Sequence, residues 1–95
     1  MALTIKLNTS VTVKGQDVKE ITLDFDSIRG RDLADAERTA RSDGEMNPMI
    51  NFSMKYQAAI AAKLIGIKYD DVLDMPAGDF NKITLAVNNF LMSSN

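Results

Sequence analysis

From Leu3 to Phe25 the apolar side chains fall on odd positions: Leu3, Ile5, Leu7, Val11, Val13, Ile21, Leu23 and Phe25. The even positions Thr4, Lys6, Asn8, Ser10, Thr12, Lys14, Glu20, Thr22 and Asp24 are polar, and Val18 is the exception. A period of two this regular predicts two half-buried strands. Gly15-Gln16-Asp17 carries the turn signal between them. A connection of odd length keeps both apolar sets on one face, with Val11 across from Ile21 and Leu7 across from Phe25. A lone hairpin is unstable in water, so its apolar face needs cover.

After Phe25 the period becomes helical. Arg29-Gly30-Arg31-Asp32 opens a first helix with Leu33, Ala36 and Ala40 on its inner stripe, Asp32 near the positive end of the dipole, and Glu37 and Arg41 four apart on the outer side. Ser42-Asp43-Gly44 ends it, and Asn47-Pro48 lies in a loop because Pro48 keeps Asn47 extended. A second helix, from about Asn51 to Ile65, carries Phe52, Tyr56, Ala59, Ile60 and Leu64 on one stripe and more alanines around it. This composition marks the central helix of a small core. Gly66 is placed to be its left-handed C-cap. Tyr69 to Asp74 predicts a helical turn. Pro76 suits the first position of a last helix, which runs to about Leu91 with Phe80, Ile83, Val87, Phe90 and Leu91 facing inward. The expectation is a single α+β domain over residues 1–95: an N-terminal β-hairpin (3–26) and a helical part (27–92) whose three to four helices pack on its apolar face.

Composition narrows the chemistry. The 95 residues include no cysteine and no histidine. That removes disulfides, thiolate nucleophiles, the imidazole relay and the usual zinc ligands. A net charge of −2 offers no electrostatic footprint for nucleic acid or anionic lipid. The longest apolar run, Ala58 to Ile67, is interrupted by Lys63 and is far shorter than the roughly 20 residues a membrane span requires. The MALTIKL start has no long apolar stretch behind its lysine. The expectations are a soluble intracellular protein with no nucleic-acid or membrane partner, no cofactor and no metal.

Carboxylates come together at Asp24/Asp26, Asp32/Asp35 and Asp70/Asp71/Asp74. None has EF-hand spacing, and those in first turns already stabilise a helix N-terminus. Arg29-Gly30-Arg31 is hemmed in by acids and makes a poor anion site. Methionine is more informative. The chain has six, and Met46 and Met49, with Ile50, stand in a loop expected to be polar. Methionines suit both irregular cores and surfaces that receive apolar partners. Leu85 and Met92, one heptad apart, lie about 120–140° from the core stripe of the last helix at 100° per residue. Met49, Ile50, Met54, Leu85 and Met92 are therefore the candidate partner-binding residues. There are no candidate catalytic residues.

Several stretches, taken in order, resemble the small tail assembly chaperones of tailed phages and prophages. These are Lys14-Gly15-Gln16; Arg29-Gly30-Arg31-Asp32-Leu33 followed by Ala36-Glu37-Arg38; Lys55-Tyr56-Gln57-Ala58-Ala59 to Ala61-Ala62-Lys63-Leu64 and Gly66; and Leu73, Pro76-Ala77, Asp79-Phe80 to Asn89-Phe90-Leu91. The resemblance covers about residues 9–92 and is weakest over Ser42–Ile50. It implies a non-enzymatic protein of the host bacterial cytoplasm that binds the long helical tape measure protein, keeps it soluble until the tail tube assembles, and is not retained in the mature virion. In many members a programmed frameshift appends a second domain.

Two other classes share these features. A structural tail or baseplate subunit would build rings by strand addition along the hairpin edge. A prophage regulator would bind nucleic acid through Arg29, Arg31, Arg38 and Arg41. The hairpin also presents two open edges, guarded by Lys6, Lys14 and Lys19, so homo-oligomerisation is expected.

Overall fold

The computed structural model describes residues 2–93. In it the alternating segment becomes an antiparallel hairpin of β1 (Ala2–Val13) and β2 (Gln16–Asp24). Among the described residues four helices follow: α1 (Gly30–Ser42), α2 (Met54–Ile65), α3 (Tyr69–Leu73) and α4 (Ala77–Met92). Single 3-10 turns occur at Phe25–Ser27 and Ile50–Phe52. The fold is α+β, with β2 packed on α2 and β1 on α4.

α2 is the centre. It is buried without a break from Tyr56 to Ala62, and it touches α1, α3, α4 and β2. Ala58, Ala59, Ala61 and Ala62 make this possible, because a methyl side chain lets a neighbour approach the helix from every direction. Ser53 caps its start, its Oγ accepting from the Tyr56 N–H at 3.1 Å. Gly66 ends it as expected in the left-handed region, at φ 86°, and with Ile67 returns N–H bonds to the Ala62 carbonyl at 2.8 and 3.1 Å. The main core joins Ile5, Leu7, Ile21, Leu23 and Phe25 of the hairpin segment to Ile60, Ile83 and Val87 of the helices. The Phe25 and Phe90 rings stack at 4.5 Å.

The hairpin register differs from the expected one. The loop is Lys14-Gly15 rather than Gly15-Gln16-Asp17. Both loop residues take positive φ (52° and 80°), as a type I′ turn requires, and Val13 pairs with Gln16 at its base. Leu3 stands opposite Leu23, Ile5 opposite Ile21 and Val11 opposite Val18, so Leu7 does not face Phe25 and Val11 does not face Ile21. Between Lys6 and Val11 the strand bulges, and four β1 residues span what only Lys19 spans on β2. Past the bulge, odd β1 residues pair with even β2 residues, so Val18 stands beside Val11.

A distant side chain holds the bulge. Asp79, 1% exposed in the first turn of α4, accepts from the Asn8 N–H at 2.8 Å and the Thr9 N–H at 3.0 Å. Two donors that have lost their cross-strand partners thereby gain a charged acceptor. Lys82 adds a bond from its Nζ to the Lys6 carbonyl at 3.1 Å.

Other boundaries shift for local reasons. The second helix starts at Met54, not Asn51, because Ser53 takes the N-cap. Phe52, expected on the core stripe, consequently sits in the preceding 3-10 turn and is exposed. Pro76 occupies the position before the first helical residue of α4 instead of that residue itself. Leu3 obeys the odd parity but is 42% exposed, since the helices cover the hairpin face only from Ile5 onward.

Phe25→Ala is expected to cost about 3–5 kcal/mol, a large fraction of a small domain's stability. Asp79→Ala leaves two N–H donors without their acceptor and should cost about 2–4 kcal/mol, with a smaller loss in Asp79→Asn, which keeps one acceptor oxygen. Urea denaturation checks both; unchanged midpoints would show that neither contact holds the hairpin to the helices.

Candidate partner-binding surface

Arg41 and Lys55 fasten the methionine loop after α1 from within the fold. The Arg41 guanidinium donates to the carbonyls of Asn47 (2.7 Å) and Glu45 (3.3 Å), and Lys55 Nζ to that of Asp43 (2.6 Å). Asn47 Oδ1 accepts from the Met49 N–H, and Glu45 Oε2 from the Asn47 N–H. With its polar groups used locally, the loop displays Met46 and Met49, which are 86% and 60% exposed. Ile50 behaves differently. It is half-buried against the core cluster and anchors the loop, so it supplies less free surface than its loop position suggests.

Leu85 and Met54, 60% and 57% exposed, come together. They line one groove of about 390 Å³ between the start of α2 and the middle of α4, with Gln57, Asn81, Thr84 and Asn88. Its polar floor is satisfied internally: Gln57 Nε2 donates to the Asn51 carbonyl at 2.9 Å and to Asn88 Oδ1 at 3.3 Å, and the Thr84 hydroxyl to the Phe80 carbonyl at 3.0 Å. On its other flank Leu85 lines a second groove, of about 450 Å³, with Leu3, Ile5, Ala86 and Asn89, rimmed by Lys6 and Lys82. Leu85 is thus a ridge between two troughs. Met92, exposed seven residues further along α4, continues the same outer stripe about 10 Å away at 1.5 Å per residue. Met49 lines neither trough.

No protein-family model, curated protein or solved structure matches the chain. The surface is therefore judged on its own chemistry.

Leu3 and Phe52 belong to the exposed apolar set but carried core assignments from their spacing. The N-cap preference of Ser53 was the signal that would have freed Phe52; Leu3 offers no such local sign. The acidic groups do structural work. Asp32 accepts from the Arg29 N–H, Asp71 from that of Lys68 and Asp24 from that of Asp26. Among the described residues no three carboxylates gather into a group that could hold a metal ion, and no helix is long and apolar enough to cross a membrane. Arg38 pairs with Asp35 at 2.7 Å and Arg41 with Glu37 at 3.3 Å, so half of the arginine set on α1 and its cap is already engaged.

The most displaced titratable group lies away from these grooves. The Tyr69 hydroxyl donates to Asp43 Oδ2 at 2.8 Å, tying α3 to the end of α1. Burial, then this bond to a carboxylate, pushes its phenol far above the ordinary value of 10.0. Tyr56 is raised as well, by burial and then by the Glu37 charge. A phenol that keeps its proton longer when folded contributes stability below pH 10, and this is lost as pH rises beyond it. Stability should therefore fall on an alkaline limb above about pH 10. Tyr69→Phe should make that limb shallower, with the Tyr56 share remaining. Denaturation midpoints measured across pH 8–12 check this, and an identical limb in both proteins would remove the Tyr69 assignment.

Proposed function

We propose that this chain is a non-enzymatic tail assembly chaperone of a phage or prophage. In this reading it binds an apolar helical segment of the tape measure protein in the host cytoplasm, keeps it soluble during tail assembly, and leaves before the virion is complete. The observation that carries the reading is the Leu85 ridge. It is an exposed aliphatic side chain between two troughs, with Met54 and Leu3 on their far walls and Met92 further along the helix. Contiguous exposed apolar surface of this kind suits helix-in-groove recognition, in which apolar anchors supply the affinity. The resemblance noted in the sequence supplies the partner's identity; the groove supplies only its chemistry. Met46 and Met49 are exposed on the loop that precedes α2.

Co-expression with the tape measure protein tests the role. The wild-type chain is expected to raise its soluble yield. Met54→Asp with Leu85→Asp should weaken the complex by about 2 kcal/mol or more, roughly 30-fold in affinity, while leaving the denaturation midpoint unchanged. Equal solubility with and without the chain would overturn the role. Full activity of the double variant would keep the role and reject the surface, in which case Met49→Asp and Met92→Asp locate the alternative.

A further inference from the structure

We propose that two copies of this chain associate through the outer edge of β2, pairing antiparallel about Val18. This surface is independent of the tape measure reading, because the Leu85 troughs are lined by β1, α2 and α4 and by no β2 residue.

The two hairpin edges are not equivalent. Along β1, Asp79 takes the N–H groups of Asn8 and Thr9, and Lys82 donates to the Lys6 carbonyl, so α4 engages the backbone in the middle of that strand. Along β2, no backbone group from Gln16 to Leu23 makes a hydrogen bond outside the hairpin ladder. An unpaired edge is a template for a further strand.

The backbone and the charges select one register. The two-residue loop makes Val13 and Gln16 a hydrogen-bonded pair. The antiparallel alternation then turns the N–H and C=O of Val18 toward β1 and those of Asp17 and Lys19 outward. A two-fold axis through the sheet keeps each face on its own side, so a residue meets one of equal parity in the second copy. Centring the axis on Val18 places Asp17 opposite Lys19 of the second copy, twice, with the outward backbone groups of both in hydrogen-bonding position. Centring it on Asp17, Lys19 or Glu20 sets each of these against its own like charge. Centring it on Ile21 sets half-buried Val18 against Asp24. Opposite charges directly across a strand pair stabilise it and like charges destabilise it. Lys19, which guards the edge against indiscriminate pairing, is matched only by a strand that offers Asp17. The same register brings a second Val18 to a cavity of about 260 Å³ at this edge, where Val13, Val18 and Ile65 are half-buried. The charge pattern and the apolar gap therefore fit one occupant, another copy of β2.

Sedimentation equilibrium on the full chain tests the proposal. The wild type is expected to reach twice the 10.5 kDa mass of one chain with rising concentration. Asp17→Lys and Lys19→Asp, each alone, should weaken association about tenfold or more, because each creates two like-charge pairs. The double exchange should restore it. An equimolar mixture of the two single variants should associate more tightly than either variant alone, since every pair across the interface is then opposite in charge. Far-UV circular dichroism verifies that each variant is folded, and recovery in the double exchange and in the mixture separates pairing from misfolding. A wild type that stays monomeric at the highest attainable concentration would overturn the proposal. So would a dimer indifferent to the single substitutions, or a mixture no tighter than its components.

Discussion

One buried carboxylate decides how the two halves of this protein meet. Asp79 sits at the positive end of α4 and holds the N–H groups of two residues some seventy positions earlier. A bulge in β1 would otherwise leave those donors without a partner beside the core, at a cost comparable to a lost hydrogen bond for each. With Asp79 present the bulge is stable, β1 is three residues longer than its partner stretch, and the strand lies against α4. The shift in register along β1 accompanies this contact.

The same arrangement separates polar from apolar work. Charged side chains mostly serve the fold: Arg41 and Lys55 hold the methionine loop, Asp32 and Asp71 finish helix starts, and Arg38 and Lys63 both reach Asp35. A hydrogen bond from Arg38, and the nearby Lys63 charge, hold the Asp35 carboxyl below its usual range. Among the exposed side chains of α2 and α4, Met54, Leu85 and Met92 are aliphatic or thioether.

Much of this was legible in the residues, and the failures have physical causes. Alternation from Leu3 to Phe25 identified the hairpin and its buried face, and the alanine-rich stretch from Tyr56 to Ala62 identified the central helix, because both patterns are imposed locally by burial. Gly66 was equally readable, since a left-handed C-cap depends on its own backbone. The strand register was not, because a Lys14-Gly15 turn sets it near the loop and a bulge bonded to Asp79 shifts the rest, and hairpin periodicity contains no trace of residue 79. Phe52 was misassigned because apolar spacing ran through Ser53, whose hydroxyl caps the helix start and leaves Phe52 outside it. Of the candidate surface, Leu85 and Met92 were visible as departures from the core stripe. Leu3 was hidden by its parity, and Ile50 looked free because sequence spacing does not reveal which loop residue turns inward.

α2 also determines where this sequence has freedom to diverge. Four alanines there are buried where α2 meets its neighbours, so enlarging any one of them overpacks the core. Leu3, Met49, Met54, Leu85 and Met92 carry no such burden. Lineages adapting to different partners can exchange these outer side chains freely while the alanine axis stays constant. Homologous chains would then share a spine and almost nothing else, and divergence in this fold would run from the outside inward.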